Sequence, residues 1–432
     1  MKKVSEFIVT LSTVIGMLIY LIFSLLGIEH TEENPSPYFA AIIVAVNLYA
    51  IGWILMKERS FGFKGKGNLA LYIIVPALVI MLYYVEQLNP DVVSSSYVRK
   101  MLLQWGAQCV APFYVALYTF RHNRFDMLTK NLEVIMLLGS VSLILNIPQI
   151  VLLGRVQLGG GGGHQDIAYS AAFFICILLT YLYCGLEEYR FKIFTKSFFR
   201  IIEIALIPIL VLIILMSGGR GGALLMIVGA IACSYMFARK YAKKYFFVVA
   251  VFVIVGAIGF SRNAGGRFMN VVDRGMERSF NYINGGELDT EVGDRDWIYE
   301  DAKEIIGNSP VIGHGLYGGY AEMYKVIGGY SHNILYDLLI HGGIVYLIFV
   351  MVYLVRAYRS AYRLIKFDRS KSILLSYGLY IIVMLMFSGT YFMCPQFWLF
   401  ITYSLLNQRE SWTLYKNNNK TRYAKKETLS YL

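Results

Sequence analysis

Runs of about twenty apolar residues, each long enough to cross the core of a bilayer as a helix, recur along the whole chain. They fall near 7–27, 38–56, 68–85, 101–120, 131–153, 167–186, 200–216, 222–238, 245–260, 334–355, 372–388 and 392–406. The runs are continuously apolar and lack the polar alternation of barrel strands, so each satisfies its backbone groups internally as a helix. The pattern predicts an all-α polytopic transmembrane bundle of about twelve spans. It lapses over 261–332, a stretch far longer than a turn between membrane helices needs. Within that stretch Trp297, Ile298, Ala302, Ile305 and Ile306 recur near helical spacing until Asn308-Ser309-Pro310 stops them, which predicts a short amphipathic helix. The glycine-rich run from Gly313 to Tyr320 then reads as a tight return to the membrane surface.

Composition agrees with a membrane protein: 57% of residues are hydrophobic and 16% charged. The distribution of charge sets the orientation. With the N-terminus inside, the cytoplasmic pieces carry Lys2 and Lys3, the cluster Lys57 to Lys66, Arg121 to Lys130, Arg190 to Arg200, Arg239 to Lys244, Arg356 to Lys371, and the tail. Those pieces hold most of the 40 basic residues, as expected if all twelve spans exist and both termini are cytoplasmic. Residues 261–332 then form one large extracytoplasmic loop. The whole of 1–432 reads as a single integral membrane domain, with 407–432 a basic, Asn/Lys-rich cytoplasmic tail expected to be mostly disordered. The net charge of +12 therefore describes anchoring to an anionic inner leaflet, and a nucleic-acid partner is excluded by so apolar a chain. The five cysteines lie within or at the ends of spans without paired spacing, which predicts neither disulfides nor a metal site. The first span lacks a small-residue cleavage site and reads as an anchor rather than a signal peptide.

Against this apolar background a few outward residues could carry chemistry. Arg155 precedes five glycines and His164-Gln165-Asp166; Arg220 sits in Ser217-Gly218-Gly219-Arg220-Gly221-Gly222; Arg262, Arg267 and Arg295 lie in the large loop. Guanidinium donors match phosphate oxygens two at a time, so several of them converging outside the membrane suit a diphosphate. Taken singly, each reads equally as a snorkelling or capping charge, and Arg295 as a salt bridge to Asp294, Asp296 or Asp301. Arg220 is the most informative, because its turn is too short to leave the bilayer surface and its glycines admit a close approach. His332 and Asn333 stand where the chain re-enters the bilayer, with Gly343 and Tyr346 beyond them. A histidine there could accept a proton from a sugar hydroxyl, and it could equally be an interfacial polar residue or helix cap. His341 reads as a helix-packing hydrogen-bond partner, and Glu203 is assigned no role.

Together these residues resemble the signature of the bacterial O-antigen ligase and polymerase family. The resemblance rests on Ser331-His332-Asn333 followed by Gly343 and Tyr346, the outward-turn Arg220, Arg295 before a Trp and an amphipathic helix, and the run Pro310, Gly313, Gly315. A looser echo lies at Arg155 through Ala168, where His164-Gln165-Asp166 departs from the family's usual Asp/Pro/Asn. The resemblance implies an inverting glycosyltransferase of the bacterial cytoplasmic (inner) membrane, with its active site facing the periplasm or exterior. Its donor would be an undecaprenyl-diphosphate-linked oligosaccharide, with no metal or other cofactor. It implies Arg220 and Arg295 as catalytic holders of the diphosphate, His332 as the catalytic group on the acceptor hydroxyl, and Arg262, Arg267, Arg155, Asn333 and Tyr346 as substrate-binding residues. The product would be O-antigen, capsular or similar polysaccharide, and a chain-length regulator protein is a further partner. A polymerase is favoured because the loop is of moderate length and no soluble domain is appended. A ligase transferring the chain to lipid A core shares the same donor site. The rival from another class is a lipid-linked oligosaccharide flippase or transporter, for which charges at mid-depth within the spans and repeat symmetry would be expected.

Overall fold

The computed structural model describes residues 2–30, 36–60, 96–153, 163–217, 219–237, 296–327 and 330–415. Among the described residues the regular structure is helical: α1 Lys2–Leu11, α2 Ile15–Leu25, α3 Pro37–Ser60, α4 Ser96–Arg121, α5 Phe125–Leu153, α6 His164–Cys184 and α7 Ser197–Ser217. Then follow α8 Arg220–Phe237, α9 Asp296–Asn308, α10 Leu316–Ile327, α11 Ile334–Phe367, α12 Leu374–Phe387 and α13 Pro395–Leu406. Six helices are long and apolar enough to cross a membrane, or seven if the bent pair α1 and α2 is one span. These helices mark an integral membrane protein. The spans expected at 68–85 and 245–260, and most of the loop from 261, lie outside the described residues.

Three other expected spans differ in form. The first is not straight, because α1 and α2 meet at 96°. The break falls at Ser12 and Thr13, whose hydroxyls donate to the carbonyls of Val9 and Thr10, a local competition with helical bonding that bends a chain. The eighth is the shorter apolar helix Arg220–Met236. The last begins late, since Pro395 opens α13 as a helix of 12 residues, about 18 Å long at 1.5 Å per residue and too short to span alone. Before it the chain descends without α-helix, through one 3-10 turn at Tyr391–Met393: Thr390, Tyr391, Phe392 and Cys394 are all buried, the Phe392 ring stacks on Trp105 of α4 at 5.2 Å, and the Phe392 carbonyl accepts from Trp398 Nε1 at 3.1 Å. Non-helical backbone at membrane depth survives only where protein covers it in this way.

Among the described residues the basic loops gather at one end. Glu58 of α3 meets Arg121 at 2.7 Å and His122 at 2.8 Å, Glu6 of α1 meets Arg124 at 2.9 Å, and Lys371 reaches Asn123 at 3.3 Å. Arg190, after α6, lies between Glu133 of α5 and Glu203 of α7, with all three side chains at most 2% exposed. Glu203, left without a role by the sequence, is therefore one of three members of a buried ion cluster. Removing the cation would strand two buried carboxylates, so Arg190→Ala is expected to cost about 3–5 kcal/mol of stability. Thermal unfolding in detergent measures it; an unshifted transition would mean the cluster does not hold α5 to α7.

The opposite end carries the starts of α6, α8 and α11 and the end of α12. Helices α6 and α8 run side by side in the same direction, with Cys176 against the Leu225 carbonyl at 3.8 Å and Thr180 against Cys233 at 3.8 Å. Helix α12 runs antiparallel to α6, since Thr180 meets Ser376 at 3.1 Å near one end and Gln165 meets Ser388 at the other.

Candidate functional site

His332 sits in a corner that only a few residues tolerate. Its backbone is left-handed, with φ +56°, and it is one of two non-glycine residues with positive φ among those described. The corner turns the ring toward Ser388, whose carbonyl lies 2.9 Å from Nδ1. A carbonyl oxygen only accepts, so Nδ1 carries the proton, and in the neutral ring Nε2 is the nitrogen able to take one up. Tyr330 packs its ring on the imidazole at 4.4 Å and donates its hydroxyl to the same carbonyl at 3.3 Å. Asn333 caps α11: its Oδ1 accepts from Leu335 N at 2.9 Å.

The Arg220 turn belongs to the same end of the bundle. A Cβ at Gly222 would lie 2.5 Å from the backbone carbon of Ala168, and one at Gly219 would lie 2.3 Å from Ala168 Cβ, so no other residue lets this turn pack so closely on the first turns of α6. Gln165 of that same first turn accepts a hydrogen bond from the Ser388 hydroxyl, and Ser388 is the residue whose carbonyl holds His332. Two intermediate residues, Gln165 and Ser388, therefore link the Arg220 turn to His332. Helices α6, α8 and α11 all present their N-termini here, adding partial positive charge where an anion would be held. The looser echo at His164-Gln165-Asp166 lies inside this neighbourhood. Asp166 closes the first turn of α6 by accepting from Gly163 N at 3.0 Å, and the backbone carbonyl of Asp166 accepts from Tyr20 of α2 at 2.9 Å.

The glycine motifs meet as well. Helix α11 is broken at Gly342 and Gly343, the latter with φ +62°. The strip Pro310–Gly315 fills the break: Ile344 N donates to the Pro310 carbonyl at 2.9 Å, and His314 N donates to the Ile340 carbonyl at 2.8 Å. A Cβ at Gly343 would lie 2.2 Å from the carbonyl of Val311. Gly343→Ala is therefore expected to cost about 1–3 kcal/mol, from backbone strain and loss of this docking. A lower unfolding temperature together with faster protease cutting near 311–315 would register it, and wild-type values for both would contradict the docking. The glycine-rich run, which reads as a tight return in the sequence, is helical from Leu316, where α10 begins. The expected amphipathic helix is present as α9, with Ala302 and Ile305 buried against Met323 and Ile340.

Tyr346 does not stand beside His332. It lies beyond the break, where the Tyr391 hydroxyl is 3.5 Å from its own, and Tyr391 is also 2.9 Å from Nδ1 of His341. His341 is thus a packing partner, as the sequence suggests. Arg155, Arg262, Arg267 and Arg295 lie outside the described residues. No group of His, Cys, Asp or Glu suited to a metal ion occurs among the described residues. Ser388, Gln165 and Asp337 are site residues that sequence reasoning missed. A backbone carbonyl leaves no sequence signal, whereas an acidic residue in the first turns of an apolar helix does.

An α-helical membrane bundle with an arginine turn and a histidine corner at one end defines the class of protein. Residues 205–351, from α7 into α11, match the family model described as O-antigen ligase. The match covers about a third of the chain and is consistent with the O-antigen polymerase and ligase family, whose members are enzymes acting on lipid-linked polysaccharide. The matched stretch contains Arg220, His332, Asn333 and Tyr346, while Gln165 and Ser388 lie outside it. Neither a curated protein nor a solved structure matched the chain.

Proposed function

We propose that this protein is an inverting membrane glycosyltransferase that polymerises undecaprenyl-diphosphate-linked oligosaccharide repeat units into O-antigen or capsular polysaccharide. The acceptor sugar hydroxyl attacks the anomeric carbon of the donor, the bond from that carbon to the diphosphate oxygen breaks, and undecaprenyl diphosphate leaves. Direct attack from the opposite face inverts the anomeric centre. The hydroxyl proton passes to Nε2 of His332, the nitrogen that its bond to Ser388 reserves for that role. Arg220, the starts of α6 and α8 and, from outside the described residues, Arg295 with Arg262 or Arg267 hold the diphosphate and balance the charge that grows as it leaves. The observation that carries this reading is the contact path from the Arg220 turn through Gln165 and Ser388 to His332. The same end lies opposite the basic loops of the described residues, which supports an active site at the outer face of the cytoplasmic membrane.

The family match gives no support to a flippase. The buried charges also sit toward the two ends of the bundle rather than along a central path: Arg190 with its two glutamates at one, Asp337 at the other. A polymerase and a ligase use the same donor chemistry and are separated by acceptor. Purified protein incubated with undecaprenyl-diphosphate repeat units alone is expected to give a ladder of lengths. Inertness until a lipid A core is added would make it a ligase instead.

A further inference from the structure

Asp337 is the acidic residue of the first turn of α11, 1% exposed, in a helix otherwise apolar over its first half. A carboxyl group buried at that depth is costly unless its partners repay the desolvation. The partners it has all belong to the histidine corner. Ser331 Oγ lies 2.5 Å from Asp337 Oδ1, the Ser331 backbone N–H donates to the same oxygen at 3.3 Å, and the Thr390 side chain interacts with the carboxyl as well. Ser331 Oγ in turn lies 2.9 Å from the Asn333 carbonyl and 3.3 Å from the Asn333 amide, so one carboxyl ties down residues on both sides of His332.

The other half of the arrangement is the segment after α12. Ser388 holds His332, Thr390 meets Asp337, and Tyr391 meets His341, so successive residues of one descending strand of chain clip successive turns of α11. The imidazole is thereby fixed between two anchors, the Ser388 carbonyl at Nδ1 and the Asp337 carboxyl behind its backbone. Left-handed backbone at a histidine is unfavourable and persists only where its surroundings over-determine it. We propose that Asp337 is the positioning residue for His332: acting through Ser331 and Thr390, it holds the corner that keeps Nδ1 on the Ser388 carbonyl and Nε2 facing the acceptor hydroxyl. This rests on the glycosyl-transfer reading above.

Two readouts test it on the purified full chain. The first is kcat and donor KM with undecaprenyl-diphosphate repeat units. The second is the nitrogen NMR spectrum of histidine-labelled protein, with the His332 signal assigned by its absence from His332→Ala. Asp337→Ala is expected to lower kcat at least about tenfold while donor KM stays within about twofold, and to turn a single Nδ1–H tautomer of His332 into a mixture. Asp337→Asn, which keeps an oxygen for Ser331 and offers its amide to Thr390, is expected to recover most of both. If Asp337→Ala does not accumulate in the membrane, Thr390→Val is read in the same way with smaller effects. Wild-type kcat and an unchanged tautomer in Asp337→Ala, or in Thr390→Val where it stands in, would overturn the proposal, as would a lost kcat with an unchanged tautomer. Should the wild type transfer nothing, the functional reading fails, and the tautomer alone still decides whether Asp337 positions the ring.

Discussion

His332→Asn is expected to abolish measurable polysaccharide extension, a loss of about 10²–10⁴-fold, while the protein remains folded in the membrane. Asparagine is the informative replacement, because it accepts left-handed backbone at little cost where alanine adds strain to the corner at φ +56°. The imidazole is part-buried between the Ser388 carbonyl and the Tyr330 ring, and asparagine in its place removes the proton acceptor of the proposed step. Unfolding temperature should stay near that of the wild type. Long-chain polysaccharide produced at normal levels by cells carrying His332→Asn would remove the histidine from the mechanism.

Arg220→Ala is the second large effect, expected to reduce turnover by about 10²–10³-fold, the usual cost of losing one preorganised donor to a charge that develops in the transition state. The turn itself should persist. Its close packing on Ala168 comes from Gly219 and Gly222. Arg220→Lys keeps the charge and loses the planar fork that engages two phosphate oxygens, so partial activity with a raised donor KM is expected. Steady-state kinetics of the purified variants on lipid-linked repeat units separates these outcomes. Full activity in Arg220→Ala would assign diphosphate binding to other groups.

Much of this architecture can be read from the chain, for definite physical reasons. Membrane helices announce themselves because each must be apolar over its own length, and the helix at Asp296–Asn308 does so because Ala302 and Ile305 return to one face. The asymmetry of basic loops is likewise local, and the structure gathers those loops at one end. What the chain conceals is non-local or made of backbone. The break at Thr13 and the buried descent through Thr390 to Cys394 depend on neighbours that cover polar backbone, so apolar runs at 7–27 and 392–406 look like plain spans. Gly343 reads as a helix position until the strip from Pro310 is seen to occupy its missing side chain. Ser388 is invisible for the same reason, since its carbonyl does the work at His332. Tyr346 shares the motif with His332 and yet answers to Tyr391, which shows that a shared motif can mark packing as well as contact with substrate.

Arginine and histidine have separable duties in this account: Arg220 grips the diphosphate, and His332 acts only on the acceptor. Equilibrium binding of undecaprenyl diphosphate to purified protein in nanodiscs tests this most directly. Wild type and His332→Asn are expected to bind it with similar affinity, and Arg220→Ala to bind it at least about tenfold more weakly. Equal binding by all three proteins, or a loss confined to His332→Asn, would contradict it.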